Sequence, residues 1–415
     1  MGRASAGGDR MRIELISEHA SPLAPLGGAD AGGQNVHVAE LATGLARLGH
    51  EVVVHTRRDS PELPPSVRAA PGVTVEHVPA GPAEPIPKDD LLPHMTEFGD
   101  RLAVRWGLER PDVVHAHFWM SGVAARRGLR DLDVPLLQTF HALGRVKRRH
   151  QGVKDTSPPQ RERIESELAC GADVVVATCS DEVRELEEIG LPPQRAAIVP
   201  CGIDLDKFAP EGPVARCGDA PRILSIGRLV ERKGVDTAIR ALAEVPGAEL
   251  VVAGGPAHRD WDGDPEVARL RAAAAGAGVA DRVRFTGQVP HDTAAALYRS
   301  ADVVVSVPWY EPFGTVPLEA MACGVPLVVS AVGGHLDSVA DGGTGLFVPP
   351  KDSSALACAL RDLLSDPRRR AEMGRAGVRR VRERFGWDRL AAQTEAVYQR
   401  ARTLHRPLAS TGGKP

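Results

Sequence analysis

The sequence predicts an α/β protein made of two doubly wound domains, each with a parallel sheet covered by helices on both faces. At 415 residues the chain is too long for one ordinary core. Strand-like apolar runs alternate with amphipathic segments, which is typical of parallel sheets. These runs lie at 11–18, 50–57, 73–80, 112–118, 134–140, 172–179, 196–202, 221–228, 248–255, 282–289, 301–308, 325–330 and 345–350. The segment 202–220 is rich in Gly, Pro and Asp and reads as a linker.

We therefore expect an N-terminal domain at 11–201 and a C-terminal domain at 221–385, facing each other across a cleft. In such sheets ligands bind at the carboxyl ends of the strands, so the loops that follow strands are the places to look for a site. Residues 1–10 and 405–415 are expected to be disordered tails.

Composition excludes several classes of protein. Hydrophobic residues make up 43% of the chain and charged residues 25%, which are globular values. A net charge of −3 argues against a nucleic-acid-binding protein with a basic face. No apolar run approaches the ~20 residues needed to span a bilayer, and the first ten residues lack the apolar core of a signal peptide. The six cysteines form no C-x-x-C pair, which favours reduced thiols in a cytoplasmic protein over disulfides or zinc.

A glycine-rich segment separates the first strand-like run from a helical pattern. It ends at Gly32 and Gly33, and a loop of this kind before a helix can bind a phosphate group. It does not have the G-x-G-x-x-G spacing of dinucleotide-binding folds. Arg57 and Arg58, after the second run, keep an NADP-dependent oxidoreductase as a distant alternative, although exposed arginines at a strand end are more common.

Polar residues follow the strand-like run at 134–140. His141 stands at its carboxyl end, where α/β enzymes carry catalytic groups, but a structural histidine fits the position equally well. A basic run follows and contains Arg145 and Lys147. Such runs are usually solvated helix faces; here the alternatives are phosphate capture, with Arg161 completing the cluster, or contact with a membrane surface.

Two cations occupy a strand-to-helix turn in the second half of the chain. Arg228 closes a strand-like run and Lys233 follows five residues later. A fork-shaped guanidinium and a compact ammonium can converge on a diphosphate, although surface charges would look the same in the sequence. No Asp-x-Asp pair lies in a context that suggests a metal site, so this pair would neutralise the diphosphate instead. Gln288 and Val289 end another run and could present backbone groups to a base.

The stretch after residue 308 combines two carboxylates with free amides. Glu311 lies in a Pro/Gly loop and Glu319 in the first turn of the next helix. The amides of Phe313, Gly314 and Thr315 would stand at the helix N-terminus, where unpaired donors favour anionic or hydroxyl-rich ligands. We expect Thr315 to be the N-cap.

These motifs occur together and in a particular order. The sequence EPFGTVPLEAMACGVPLVVS, the loop GGADAGGQNVHVAEL and the segments FHALGRVK, PCGIDLDKFAP and GRLVERKG resemble those of retaining GT-B glycosyltransferases. Within these enzymes, the resemblance is to the branch of sucrose-phosphate synthase and the glycogen-synthase-like enzymes, which are classified as family 4-like, group 1 glycosyltransferases. The resemblance runs from about residue 11 to 404. It implies two Rossmann-like domains and a helix at 386–404 that crosses back onto the first.

The resemblance also implies roles in holding the nucleotide-sugar donor. Arg228 and Lys233 match the pair that binds the diphosphate and stabilises its departure. Glu311, with the amides of residues 313–315, matches the group that holds the donor sugar, and Glu319 matches the acid that binds the ribose. Gln288 and Val289 correspond to the loop that contacts the base.

On the acceptor side, His141 matches the histidine near the anomeric carbon, and Gly32 and Gly33 match the loop between acceptor and diphosphate. Two departures from the family stand out. The sequence GGHLD at 333–337 replaces the more usual glycine pair followed by Pro-Glu, and Pro317 replaces an apolar residue.

The function expected from all of this is transfer of a hexosyl unit from a UDP- or other NDP-sugar to a small phosphorylated sugar or polyol. Arg145, Lys147 and Arg161 would bind the acceptor phosphate, and neither metal nor cofactor is required. Front-face attack by the acceptor is favoured over Glu311 as a nucleophile. Alternatives are an aminocyclitol or other unphosphorylated acceptor, a lipid-linked acceptor reached by peripheral membrane contact, or a non-catalytic nucleotide-sugar binder. The sequence leaves open whether the chain forms a homodimer.

Overall fold

The structure, a computed structural model, describes residues 10–24, 33–215, 218–256 and 258–405. The chain divides into two compact units. The N-terminal unit holds the described residues up to Thr178, Glu182–Val199 and the residues from Trp387 onward. The C-terminal unit holds Cys179–Asp181 and Pro200–Gly386. The predicted tails lie outside the described residues except for Arg10 and His405.

The first half of the chain supplies an eight-stranded sheet and six helices among its described residues. The strands are β1 (Arg12–Ile16), β2 (Glu51–Arg57), β3 (Ser66–Ala70), β4 (Val73–Val78), β5 (Val113–His117), β6 (Leu136–Thr139), β7 (Val174–Ala177) and β8 (Ala196–Ile198). The helices are α1 (Gly33–Arg47), α2 (Met95–Leu108), α3 (Trp119–Gly128), α4 (Gly144–Gln151), α5 (Arg161–Gly171) and α6 (Ser180–Glu188).

The sheet of the N-terminal unit has the order β3-β4-β2-β1-β5-β6-β7-β8. Every neighbouring pair is parallel except β3 and β4, which form an antiparallel edge. Ile13 of β1 pairs with Val52 on one side and Val113 on the other. The strand order reverses between β1 and β5, so the loops after these strands lie at the topological switch point, where such sheets bind ligands.

The second half of the chain supplies a six-stranded sheet. Its strands are β9 (Arg222–Ile226), β10 (Glu249–Ala253), β11 (Val283–Gly287), β12 (Val303–Ser306), β13 (Leu327–Ser330) and β14 (Gly345–Val348). Its helices are α7 (Val235–Leu242), α8 (Pro265–Gly276), α9 (His291–Arg299), α10 (Val316–Ala322), α11 (His335–Ser338), α12 (Ser353–Ser365) and α13 (Pro367–Arg384).

This second sheet has the order β11-β10-β9-β12-β13-β14 and is parallel throughout. Ile223 of β9 pairs with Leu250 of β10 and with Val303 of β12. The switch point therefore lies between β9 and β12, whose following loops carry Arg228, Lys233 and Glu311. Apolar clusters cover both faces of this sheet, as they do in the N-terminal unit. The prediction of two parallel-sheet α/β units is confirmed.

The last helix, α14 (Trp387–Leu404), belongs to the N-terminal unit. It packs on α1 at Gly44, where an added Cβ atom would lie 2.7 Å from the Cβ atom of Ala391. Tyr398 of α14 lies 2.9 Å from His115 Nδ1, and Thr139 Oγ1 lies 2.8 Å from His115 Nε2. Because the Thr139 hydroxyl donates to the carbonyl of Val176, it accepts from Nε2–H, and Tyr398 donates to Nδ1. His115 thus fastens α14 to the sheet.

None of the described helices has the length and apolar character needed to cross a membrane.

Candidate functional site

The carboxyl ends of β9 and β12 bring Lys233 and Glu311 into contact. The Lys233 ammonium donates to Glu311 Oε2, and Arg232 Nη1 lies 3.7 Å from the same oxygen. The turn after Lys233 passes close to the end of β12, because a Cβ atom on Gly234 would collide with the carbonyl oxygen of Val307. Gly234 also has φ +70°, a conformation that glycine adopts without strain. Two residues that the sequence assigned to one site are therefore neighbours.

The charges at this point do not balance. Glu311 is only 8% exposed, and burial disfavours its charge, but Lys233 and Arg232 lower its pKa to about 2. Burial lowers the pKa of Lys233, and the positive charges of Arg232 and Arg228 lower it further, against the opposing effect of Glu311. Lys233 and Arg232 thus share the carboxylate of Glu311, and the positive charge of Arg228 also acts on Lys233. A diphosphate bound here would place negative charge beside these cations.

Glycines hold the loop that contains Glu311. Gly314 has φ +82°, and a Cβ atom at Gly333 would collide with the carbonyl oxygen of Glu311. The amide of Gly334 donates to that same oxygen at 3.2 Å. Among the described residues, no oxygen accepts a hydrogen bond from the main-chain amides of Phe313 or Gly314. These two donors are oriented by the glycines and remain available to a ligand.

Thr315 precedes the first residue of α10, as predicted, but its side chain does not cap the helix. Its backbone angles are helical (φ −83°, ψ −22°), and its side chain makes no capping hydrogen bond. A capping hydroxyl needs an extended backbone to turn back toward the helix amides. Thr315 instead lowers the pKa of Glu319, one turn along, against the larger effect of burial. Thr315 is therefore the N-cap residue, as predicted, but its side chain makes no capping hydrogen bond.

Glu319 lies in a different environment from Glu311. Tyr298 of α9, which is fully buried, donates its hydroxyl to Glu319 Oε2 at 2.5 Å. Burial raises the pKa of Glu319 despite that hydrogen bond, and it raises the pKa of Tyr298 far above its usual range. Sequence reasoning missed Tyr298. The only feature of the sequence that could have drawn attention to Tyr298 is that tyrosine is rare in it, with three in the whole chain.

Gln288 and Val289 follow β11 at the same carboxyl edge of the sheet. The amide of Gln288 donates to the carbonyl oxygen of Pro256 at 3.2 Å. Trp261 lies in the neighbouring segment and donates its indole N–H to the same carbonyl at 3.2 Å. Contact of Gln288 and Val289 with a nucleotide base stays a prediction.

In the N-terminal unit, His141 follows β6 and has φ +60°, which is uncommon for a residue with a side chain and often marks a functional position. Its Nε2 atom lies 3.1 Å from His117 Nδ1, and the ring of His37 packs edge-on against it at 5.2 Å between centroids. Burial lowers the pKa of all three histidines, to about 4 for His37. At neutral pH His141 is therefore uncharged. His37 and His117 are additions that the sequence did not identify.

Of the predicted glycine loop, Gly32 lies outside the described residues, and Gly33 is the first residue of α1. Among the described residues, apart from its own helix and chain neighbours, no atom lies within 4 Å of the place where a Cβ atom on Gly33 would stand. Gln34 donates to Ser17 Oγ at 3.1 Å and to the carbonyl oxygen of His117 at 3.2 Å. The start of α1 is thus fixed beside the carboxyl ends of β1 and β5.

The three cations predicted to bind an acceptor phosphate all have carboxylate partners. Arg145 contacts Glu185 at 3.3 Å and Glu188 at 2.8 Å. Lys147 contacts Asp155 at 2.9 Å, and Arg161 contacts Glu165 at 2.7 Å. Arg148 and Arg149 of the same run also contact acidic side chains. The basic run on α4 is therefore largely neutralised within the unit, which weakens the alternative of a membrane-binding face.

Arg161 has a second cation close by that the sequence did not reveal. The guanidinium carbon of Arg161 lies 5.2 Å from the ring centroid of Phe118, and Lys88 Nζ lies 5.5 Å from the same centroid. Arg161 also donates to the carbonyl oxygen of Ala142 at 2.7 Å, next to His141. Phe118, at the end of β5, thus brings two cations to the loop that carries His141.

The arginines behind the oxidoreductase alternative have structural partners. Arg57 donates to the carbonyl oxygen of Pro82 at 2.7 Å and to that of Glu84 at 2.5 Å. Arg58 donates to the carbonyl oxygen of Pro61 at 2.5 Å. Main-chain carbonyls thus occupy the donors that a 2′-phosphate would need.

Comparison with known proteins identifies the family of the chain. The family described as "Glycosyl transferases group 1" matches residues 213–380, and "Glycosyltransferase Family 4" matches residues 31–207. A D-inositol 3-phosphate glycosyltransferase of Acidothermus cellulolyticus is 39% identical over 96% of this chain and 92% of its own. One from Xylanimonas cellulosilytica is 40% identical over 95% of this chain and 98% of its own.

Among solved structures, sucrose-phosphate synthase from Thermosynechococcus elongatus matches 94% of this chain and 99% of its own with a TM-score of 0.85 and 33% identity. The predicted resemblance is confirmed by sequence and by fold. The chain belongs to the group 1 glycosyltransferases with a Family 4 N-terminal half, and it has the GT-B fold.

Proposed function

We propose that this glycosyltransferase moves a hexosyl unit, with retention, from a nucleotide sugar to a phosphorylated polyol of the inositol phosphate class. The observation that carries the proposal is the contact of Lys233 and Arg232 with Glu311, at the carboxyl ends of β9 and β12. It combines an excess of positive charge for a diphosphate with a carboxylate for sugar hydroxyls. The names of the relatives, D-inositol 3-phosphate glycosyltransferases, support the acceptor class.

On the donor side, each predicted group has a chemical task. Arg228 and Lys233 neutralise the diphosphate as it departs, which lowers the energy of a transition state that places negative charge there. Glu311 accepts hydrogen bonds from hydroxyl groups of the sugar. The amides of Phe313 and Gly314 donate hydrogen bonds to oxygen atoms of the same sugar. Glu319, held by Tyr298, binds the ribose hydroxyls. A UDP-sugar is the first candidate donor.

On the acceptor side, Lys88 and Arg161 provide the charge for a phosphate group. Both lie over Phe118, and Arg161 also contacts the residue after His141. Arg161 is paired with Glu165 at 2.7 Å, so Lys88 would be the main contact of the phosphate group. Arg145 and Lys147 are also still predicted to bind the acceptor phosphate, although each contacts an acidic side chain.

The mechanism is front-face substitution at the anomeric carbon. The acceptor hydroxyl attacks from the side on which the diphosphate leaves, so that the new C1–O bond forms as the C1–O bond to phosphate breaks. The departing phosphate oxygen takes the proton of the hydroxyl. His141 is neutral and neither gains nor loses a proton in this scheme. Lys233 and Arg228 supply the positive charge, so no metal ion is required in this scheme.

The test is a transfer assay with purified protein. UDP-, GDP- and ADP-linked sugars are each incubated with D-inositol 3-phosphate or with unphosphorylated myo-inositol, and products are followed by mass spectrometry. We expect product from the phosphorylated acceptor. The proton coupling at the anomeric carbon of the product, measured by NMR, should show the same anomeric configuration as in the donor. Equal use of myo-inositol would contradict the phosphate site, and inversion would contradict the mechanism. Nucleotide-sugar binding with neither hydrolysis nor transfer would favour the non-catalytic binder.

A further inference from the structure

His335 is a buried histidine beside the Glu311 loop that the proposed function leaves unused. It follows the glycine pair Gly333-Gly334, at the point where the sequence departs from the resembled family, and it begins α11. Its side chain is 0% exposed. A buried polar side chain at this depth normally has partners for both ring nitrogens.

One ring nitrogen of His335 is accounted for. Nδ1 lies 3.1 Å from the carbonyl oxygen of Ser330. Since a carbonyl oxygen only accepts, Nδ1 carries the proton. Burial lowers the pKa of His335 to about 4, against the raising effects of Glu311 and of this hydrogen bond. At neutral pH the ring is therefore uncharged, and Nε2 has a bare lone pair.

The other nitrogen, Nε2, has no hydrogen-bond partner among the described residues. It lies against Gly314, since a Cβ atom on that glycine would stand 3.1 Å from His335 Nε2 and 2.8 Å from Glu311 Cγ. A buried acceptor that has lost water without gaining a donor costs free energy. A hydroxyl group of a ligand beside Gly314 and the Glu311 carboxylate would supply the donor.

We infer that His335 is a specificity-determining residue, whose Nε2 accepts a hydrogen bond from a hydroxyl group of the donor sugar. Glu311 and His335 would then form two neighbouring acceptors, suited to two hydroxyls of one sugar ring. A sugar that presents only acceptor atoms at this place, such as a carboxylate, would be disfavoured by both groups. The inference rests on the proposed function, because it assumes that the Glu311 loop holds a donor sugar.

Two substitutions and one control test the role of Nε2. His335→Leu removes the acceptor, and His335→Gln returns an amide oxygen near the place of Nε2. Ser338→Ala is the control, because Ser338 is equally buried on the same short helix and its hydroxyl contacts only the carbonyl of His335, at 3.4 Å. We expect His335→Leu to lower kcat/KM for the donor about tenfold. His335→Gln should recover most of that loss, and Ser338→Ala should lose little.

The Kd for the free nucleotide diphosphate should remain that of the wild type in all three variants, and the melting temperature reports on folding. A purely structural role would lower stability and would affect nucleotide and sugar alike. Equal losses in His335→Leu, His335→Gln and Ser338→Ala would overturn the inference.

Monodeoxy donors identify the hydroxyl. Each deoxy analogue of the sugar that the wild type uses best is assayed with the wild type and with His335→Leu. For one analogue, kcat/KM of the wild type should be about tenfold lower than with the full sugar. His335→Leu should show the same kcat/KM with that analogue as with the full sugar, because its hydrogen bond is already absent. If every analogue costs both proteins the same factor, the inference is wrong while the proposed function stands. A wild type that uses no nucleotide sugar at all would overturn the proposed function and this inference with it.

Discussion

Two groups of cations, one in each unit, look alike in the sequence and differ in the structure. In the C-terminal unit, Arg232 and Lys233 share one carboxylate, Glu311, and Arg228 adds to the same positive field. In the N-terminal unit, Arg145 and Lys147 each have their own acidic partners. The first group keeps an excess of positive charge, whereas the second is neutralised by its own protein.

The difference indicates what each group is for. Two cations that share one carboxylate still repel each other, and an anionic ligand lowers that repulsion when it binds. Paired charges have little left to offer a ligand, and they serve to join α4 to the neighbouring helices. Whether a cation has its own carboxylate partner therefore distinguishes a ligand-binding group from a structural one better than its presence in a basic run does.

The largest effect should come from Lys233→Ala. The substitution removes the ammonium next to Glu311 and one of the charges proposed to stabilise the leaving diphosphate, so kcat/KM for the donor should fall about 1,000-fold. Affinity for free UDP should also weaken, because the diphosphate is present in both ligands. Steady-state kinetics and calorimetric titration with UDP measure the two effects.

Arg240→Ala is the matched control for that experiment. Arg240 lies on α7, the next helix, and its half-exposed side chain pairs with Asp236 at 2.7 Å. Arg269 lies 3.7 Å from the same oxygen of Asp236 and still faces it when Arg240 is removed. Activity close to that of the wild type is expected. A loss in Arg240→Ala as large as in Lys233→Ala would show that loss of any nearby cation is enough, and would break the contrast.

The second largest effect concerns the acceptor. Lys88→Ala should raise the KM for the phosphorylated acceptor about tenfold and leave the KM for the donor unchanged, because a charged hydrogen bond to phosphate would be lost. Arg145→Ala should change the acceptor KM by no more than about twofold, since Glu185 and Glu188 hold its side chain. If Arg145→Ala has the larger effect, the neutralised run binds the acceptor after all.

The sequence was sufficient for the framework of both units. Apolar runs such as 112–118 and 301–308 contain β5 and β12, because strands buried on both faces need continuous apolar residues. In a parallel sheet the loops that follow the strands lie at the same edge. Lys233 and Glu311 could therefore be expected close together. The edge strand β3 was missed, because its residues are mostly exposed and carry no apolar run.

What could not be predicted depends on contacts between distant segments. Lys88 lies 30 residues from Phe118 in the sequence, and only the fold brings its ammonium over that ring. The carboxylate partners of Arg145 belong to α6, so a local reading of the basic run could not show that it was neutralised. Thr315 is the N-cap residue, but its helical backbone angles, which the sequence does not show, go with the absence of a side-chain capping bond.

A smaller effect is expected from Tyr298→Phe, which changes the environment of the second acid without touching the cations. The substitution removes the hydroxyl that donates to Glu319 and keeps the buried ring. Glu319 would lose its orientation, and the affinity for UDP should fall about fivefold, the value of one ordinary hydrogen bond. Lys233 and Glu311 keep their contact, so the reaction rate at saturating donor should change less than the affinity. A large fall in rate with unchanged UDP affinity would mean that Glu319 does not hold the ribose.

The smallest effect is expected from removal of divalent metal ions. If Arg228, Arg232 and Lys233 neutralise the diphosphate, a chelator such as EDTA should leave transfer largely intact. The control is Lys233→Ala with and without added Mg²⁺, because a metal ion could substitute in part for the lost charge and restore some activity to the variant while doing little for the wild type. A wild type that stops turning over in EDTA and recovers with Mg²⁺ would mean that the excess positive charge on the protein is not enough for the leaving group. The contrast between the two groups of cations would then describe how the donor binds but not how the reaction is catalysed.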